Sequence, residues 1–197
     1  SYTTNVIEDQ PQIIDQFFVS QPTNQSVSLV TGLNLITPPL ENTVELTARG
    51  ILSTIGNSKE IFSWQTDTQI WGGSVFKEGQ TLLGSEFELT GGRGYMINMS
   101  QSGTWQATGY VRQQSIPIRL VDGLNLVGVP YPDGMSAKSV LPTISGGQVI
   151  TRWLESLQIW DSVVSVPNGP IIGQDFDLVV SMGYFFQVSQ DSTWVPT

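Results

Sequence analysis

Two stretches of the chain alternate apolar and polar residues in the same order. Residues 27–36 read VSLVTGLNLI, and about 90 residues later residues 118–127 read IRLVDGLNLV. An alternation with a period of two residues is typical of a β-strand with one buried face. Prolines follow at 38–39 and at 130 and 132, where they are expected to end each strand because proline has no N–H to donate to a sheet.

A short amphipathic helix is predicted after each of these strands. Thr47 and Ser136 stand in the positions of N-caps, since a hydroxyl there can accept a hydrogen bond from a free N–H of the first turn. Gly56-Asn57 and Gly146-Gly147 are expected to end the helices. The residues predicted to be buried are Ala48, Ile51, Leu52 and Ile55 in the first helix and Ala137, Val140, Leu141 and Ile144 in the second.

The repetition continues to the end of the chain. It includes Trp64 with Trp153, Gln69-Ile70-Trp71 with Gln158-Ile159-Trp160, Glu86-Phe87-Glu88 with Asp175-Phe176-Asp177, and Gly94-Tyr95 with Gly183-Tyr184. The pattern predicts a mainly β fold of two tandem homologous β-rich units, each a small sandwich or barrel with one short helix. The predicted boundaries are an N-terminal arm at 1–26, the first unit at 27–110, a linker at 111–117 and the second unit at 118–197. Units this small bury little surface alone, so we expect them to pack together.

The N-terminal arm has no counterpart in the repeat. It is polar except for a compact apolar patch of five residues: Ile13, Ile14, Phe17, Phe18 and Val19. An extended apolar segment of this kind can add a strand to an open sheet edge of a neighbouring molecule. The arm is therefore predicted to be an assembly element.

Composition excludes several kinds of chemistry. Charged residues make up 13% of the chain, the net charge is −9, and histidine and cysteine are both absent. Basic residues are scattered, so a nucleic-acid partner is excluded, and no apolar run is long enough to span a membrane. Without histidine or cysteine there is no Ser-His-Asp triad and no thiolate or histidine metal site. We therefore expect no catalytic residue, no resident metal and no cofactor.

The residues GLNLI, the helix and the later GY resemble the G-W-N-L-I-S…G-x-G-Y-W modules of secreted and cell-surface proteins from bacteria and archaea. Leu33 and Leu124 stand where those modules usually have tryptophan, and Met96 and Phe185 follow the tyrosines. The resemblance implies an extracellular, non-catalytic protein. The absence of a signal peptide and the start at Ser1 are expected of a processed chain or an excised piece.

The repeated aromatic residues have two interpretations. Trp71, Trp160, Tyr95 and Tyr184 could form a platform on which sugar rings stack, or they could fill the cores, where each aromatic side chain buries on the order of 150–250 Å². The repeated acid pairs, Glu86/Glu88 and Asp175/Asp177, could form a solvated strand face, bind calcium, or act as an acid–base couple.

Together these features favour a non-enzymatic extracellular structural subunit of a surface assembly, a filament or layer, joined partly by strand addition through the arm. Its expected partners are other copies of the chain or neighbouring surface proteins. The alternative is a carbohydrate-binding or adhesion module whose partner is a glycan held by the repeated aromatics.

Overall fold

A computed structural model of the protein describes residues 21–42, 44–130 and 134–197. The five apolar residues of the arm, Ile13, Ile14, Phe17, Phe18 and Val19, lie outside the described residues. In the described part of the chain, strands predominate over helices, so the predicted mainly β fold is confirmed.

The first half of the described chain, residues 21–110, contains eight strands and one helix. In chain order these are β1 (Thr23–Leu29), β2 (Gly32–Ile36), β3 (Glu41–Asn42), α1 (Ala48–Thr54), β4 (Ser58–Gln65), β5 (Ile70–Glu78), β6 (Thr81–Gly84), β7 (Tyr95–Met99) and β8 (Gly103–Tyr110).

The second half, residues 118–197, contains a similar series of elements. They are β9 (Ile118–Leu120), β10 (Gly123–Gly128), α2 (Ala137–Val140), a 3-10 turn (Leu141–Thr143), β11 (Gly147–Leu154), β12 (Ile159–Ser165), β13 (Ile171–Ile172), β14 (Gly183–Val188) and β15 (Ser192–Trp194).

The larger sheets of the two halves have the same strand order. The first is β2-β7-β4-β5-β6 and the second is β10-β14-β11-β12-β13, and all their paired strands are antiparallel. A smaller sheet accompanies each, β1-β8-β3 in the first half and β9-β15 in the second. The two halves thus share a strand order, while the two tandem homologous units and their boundaries remain a prediction.

The predicted helix starts are confirmed. The Thr47 hydroxyl accepts a hydrogen bond from the Gly50 N–H, and Ser136 forms a reciprocal capping box with Ser139. The second helix is shorter than its apolar pattern suggests. It changes to a 3-10 turn at Leu141 because Pro142 has no N–H with which to continue the α-helical hydrogen bonds.

Each half has its own hydrophobic core beneath the large sheet. The eight residues of the two predicted helices that were expected to be buried are all buried. The first core includes Ile51, Leu52, Ile55, Ile61, Val75, Ile97 and Trp105, and the second includes Val140, Leu141, Ile144, Ile150, Val163, Phe186 and Trp194.

A buried asparagine holds the start of the repeated strand in each half. The Asn34 side chain accepts a hydrogen bond from the Val30 N–H at 2.9 Å and donates to the Val30 carbonyl at 2.9 Å. Asn125 makes the same pair of bonds with Val121, both at 2.8 Å. One amide therefore satisfies both backbone groups of the residue four positions earlier, and it stabilises the tight turn between the strands.

We predict that Asn34→Ala and Asn125→Ala each lower the free energy of unfolding by about 2–3 kcal/mol, because the part-buried N–H and carbonyl of Val30 or Val121 lose their partner. Urea unfolding followed by tryptophan fluorescence would measure the change. Asn24→Ala, on the exposed surface of β1, is the control: it removes a solvent-exposed hydrogen bond from the Thr108 hydroxyl, so it should change stability by less than about 1 kcal/mol. Wild-type stability in both buried variants would contradict this role.

Candidate functional site

The most highly organised surface in the molecule is the joint where the two halves meet. It is formed by the exposed backbone of β2 and β10, by the β4–β5 and β11–β12 turns, and by an apolar cluster between the large sheets. Direct contacts join the two halves, and the glutamine and tryptophan contacts described next each occur twice.

Two glutamines close the free edges of the large sheets. The Gln69 side chain accepts from the Leu124 N–H at 2.7 Å and donates to the Leu124 carbonyl at 3.0 Å. Gln158 makes the same two bonds with Leu33, at 2.8 and 3.0 Å. Both glutamines have a positive φ, 56° and 55°, in the turn before β5 and β12. A glutamine amide thus occupies the place at β2 and β10 that another strand would take.

Two tryptophans donate to the same carbonyls. Trp64 Nε1 lies 2.9 Å from the Leu124 carbonyl, and Trp153 Nε1 lies 2.7 Å from the Leu33 carbonyl. Each of these carbonyls therefore accepts two hydrogen bonds from the other half. These indoles fill the space between the halves rather than the two separate cores.

An apolar cluster occupies the centre of the joint. Its buried members are Leu35, Met96, Leu126, Trp153 and Phe185, with Leu33, Phe62 and Trp64 packed around them. Met96 and Phe185 occupy equivalent positions, each directly after the tyrosine of its repeat. One half therefore contributes an aromatic ring where the other contributes a thioether. Because these side chains come from both halves, the cluster forms only when the halves are docked.

The glycine before each tyrosine permits a close approach of the two halves. A Cβ added at Gly94 would lie 2.9 Å from Leu126 Cγ and 3.3 Å from Gly183 Cα. The Gly94 N–H also donates to the Leu126 carbonyl at 3.0 Å. A close backbone contact is therefore present at these glycines, and it lies across the joint.

Trp71 and Trp160 lie at the rim of the joint and remain partly exposed, at 38% and 45% of their full area. Their ring centroids are 6.0 and 5.6 Å from that of Phe185. Both therefore border the same buried ring, one from each half. Of the four aromatics predicted as a platform, these two present a surface to solvent.

Tyr95 and Tyr184 have a structural role instead. Both are buried, and each hydroxyl accepts a backbone N–H and donates to a backbone carbonyl within its own half. Burial raises the pKa of Tyr184 to about 12. Neither tyrosine offers a ring to a ligand, so the platform interpretation is wrong for this pair.

The repeated acid pairs divide between two roles. Glu86 accepts from the Arg49 N–H at 3.0 Å and forms an ion pair with the Arg49 guanidinium at 3.2 Å. Asp175 accepts from the Lys138 N–H at 2.9 Å, and this backbone hydrogen bond lowers its pKa. The first acid of each pair therefore caps a helix start. Glu88 and Asp177 have exposed side chains, and their backbones form isolated bridges with Thr47 and Ser136.

No group of three or more acidic, histidine or cysteine side chains gathers in a metal-binding arrangement among residues 21–42, 44–130 and 134–197. A cleft of about 200 Å³ lies beside the joint, and its ionisable lining residues include Asp67, Arg93 and Arg119. Asp67 and Arg119 form an exposed ion pair at 3.4 Å. This cleft therefore contains an ion pair, and its described lining includes a single carboxylate rather than the two that an acid–base couple requires.

Comparison with known proteins adds no relative. No protein-family model matches the chain, and no curated protein or solved structure is significantly similar to it. Within the described part of the chain, neither helix has the length and apolar character needed to cross a membrane.

Replacing Gln158 with glutamate should weaken the joint. A carboxylate can accept from the Leu33 N–H but repels the Leu33 carbonyl, so we expect a loss of about 2 kcal/mol at pH 7 that becomes smaller when the carboxyl is protonated at low pH. Denaturant unfolding at pH 7 and pH 4 would measure both effects. Gln148→Glu, on the exposed surface of β11, is the control. Equal stabilities of the two variants at pH 7 would show that the amide contributes nothing.

Glu155 lies in a second cleft beside the joint, lined also by Leu35, Ser181 and Met182. Burial raises the pKa of this carboxyl. Because the folded protein favours the protonated carboxyl, the stabilisation is present at low pH. It is lost as the pH rises through the raised pKa. We therefore expect Glu155→Gln to become more stable relative to wild type between pH 4 and pH 7. The exposed Glu78→Gln variant should show no such trend in the same unfolding experiment.

Proposed function

We propose that this chain is a non-enzymatic extracellular structural subunit of a surface assembly, a filament or layer. Neighbouring subunits are joined partly by the N-terminal arm, whose apolar residues Ile13–Val19 add a strand to the next molecule. The partner in this proposal is another copy of the chain.

The open edge of β1 is the observation that carries the proposal. With seven residues β1 is the longest strand at any sheet edge, and in the described part of the chain its backbone pairs only with β8. The other sizeable edges are covered. Gln158 and Gln69 cap β2 and β10, and Arg49 donates to the Leu82 and Gly84 carbonyls of β6 at 2.5 and 2.8 Å.

The chain also carries a segment suited to this edge. The apolar patch of the arm ends at Val19, four residues before β1 begins at Thr23. A chain leaving the end of an edge strand is already at the surface of the sheet, so a short extension can reach a neighbouring molecule. Strand addition of this kind obtains affinity from backbone hydrogen bonds and specificity from alternate apolar side chains.

A non-enzymatic role is supported by the use of the repeated polar residues. The tyrosine hydroxyls, the asparagines and the first acid of each pair are all engaged in backbone hydrogen bonds of the fold. The low proportion of charged residues, the absence of cysteine and the resemblance to secreted modules support the extracellular setting.

Lysines on the β1 edge should prevent assembly. Ser26→Lys with Ser28→Lys places two charges on the open strand, and native edge strands use lysine to block further pairing. We expect the wild-type chain to form oligomers in light scattering and electron microscopy, and this variant to remain monomeric. Removal of residues 1–20 should have the same effect because it removes the added strand.

Gln106→Lys with Thr108→Lys is the matched control. These residues lie opposite Ser26 and Asn24 on β8, which is the central strand of the same sheet. They add the same charge to the same exposed face but leave the edge unchanged, so oligomers should persist. A monomeric wild-type chain at high concentration, or full assembly of the edge variant, would overturn the proposal.

A further inference from the structure

The partly exposed tryptophans at the rim of the joint, Trp71 and Trp160, both pack edge-on against the buried ring of Phe185, and we call the surface of these two indoles the aromatic face. Trp71 comes from the first half and Trp160 from the second. Since both ring centroids lie within 6.0 Å of that of Phe185, they are at most about 12 Å apart. The aromatic face therefore spans both halves of the molecule.

The exposure of these two indoles distinguishes them from other tryptophans of the chain. Trp105, Trp153 and Trp194 are buried. An exposed indole leaves a large apolar surface in water, and the loss of that contact with water is a source of binding free energy. The repeated tryptophan is partly exposed in both halves. One molecule therefore presents two indole surfaces at a fixed distance from each other.

Strand register places hydroxyl groups beside both indoles. On β12, Trp160 and Ser162 alternate onto one face, and the Ser162 hydroxyl lies 2.9 Å from that of Thr151 on β11. On β5, a register shift at Gly72-Gly73 places Trp71 opposite Trp64 and Ser74 opposite Phe62, so Trp71 and Ser74 also share a face. The extra residue of this bulge restores the same arrangement in the first half.

The groups around the aromatic face suit a neutral ligand. The hydroxyls of Ser74, Thr151 and Ser162 flank the indoles. Asp161, next to Trp160 in sequence, is bound to Arg152 by two hydrogen bonds of 2.9 and 2.8 Å. The chain carries a net charge of −9, which disfavours an acidic ligand.

We infer that the aromatic face binds a neutral polysaccharide, with one pyranose ring stacked on Trp71 and another ring of the same chain stacked on Trp160. The C–H face of a pyranose is apolar and flat, so it fits an indole, while its equatorial hydroxyls can exchange hydrogen bonds with Ser74, Thr151 and Ser162. Because each half supplies one stacking residue, the site is complete only when the joint is formed. This inference is independent of strand addition at β1.

The test uses the full chain and three neutral hexasaccharides: cellohexaose, laminarihexaose and chitohexaose. We expect at least one to bind in calorimetry and to shift the indole N–H resonances of Trp71 and Trp160, while those of Trp105 and Trp194 remain in place. Trp71→Ala and Trp160→Ala should each weaken binding at least tenfold, because the second ring then loses its advantage of linked binding.

Ile70→Ala with Ile159→Ala is the matched control. These exposed isoleucines directly precede the two tryptophans and therefore project from the opposite side of β5 and β12. Their removal should leave affinity within twofold of wild type. The indole resonances report on the wild-type protein, so the test does not depend on the folding of any variant.

Three results would overturn the inference. One is the absence of binding by all three hexasaccharides at millimolar concentration. Another is binding that shifts other tryptophans or is unchanged in both alanine variants. The third is a change of oligomeric state in the alanine variants without any effect on sugar binding, which would identify the aromatic face as a protein contact.

Discussion

The arrangement of this molecule depends on the hydrogen bonds that satisfy Leu33 and Leu124. Each lies on an edge strand whose outward N–H and carbonyl need partners, and in each case a glutamine and a tryptophan from the other half supply them. The reciprocity makes the joint self-complementary, as in an interface between identical subunits. Docking the halves therefore closes two sheet edges and buries one apolar cluster at the same time.

This closure determines which surfaces remain for interaction. With β2 and β10 capped, β1 is the longest strand left at a sheet edge in the described part of the chain. Docking also places Trp71 and Trp160 against the same ring, Phe185. The proposed assembly edge is thus the longest edge that the joint leaves uncovered, and the inferred polysaccharide site combines one indole from each half.

Local features were predictable where neighbouring residues in the chain decide them. Thr47 and Ser136 cap their helices because an N-cap acts within a single turn. The alternation of residues 27–36 predicted a single strand, but a turn after Leu29 divides this stretch into β1 and β2, which lie in different sheets. Features that depend on distant partners were less accessible. The role of Gln69 could not be inferred, since its partner Leu124 lies on another part of the chain. The doubled occurrence of Gln-Ile-Trp was the available signal, but repetition alone does not separate a core residue from a joint residue.

The sequence by itself determined the mainly β class, the short capped helices and the exclusion of histidine and cysteine chemistry. The first two follow from residue periodicity and capping, which depend on neighbouring residues in the chain. The third follows from composition, which does not depend on the three-dimensional arrangement. Only the tertiary structure decided that Tyr95 and Tyr184 are buried, that Trp64 and Trp153 fill the joint, and that Trp71 and Trp160 remain exposed. All six are repeated aromatics with similar local patterns. Their burial differs because it depends on which sheet face meets the other half, and that contact is made between residues far apart in the chain.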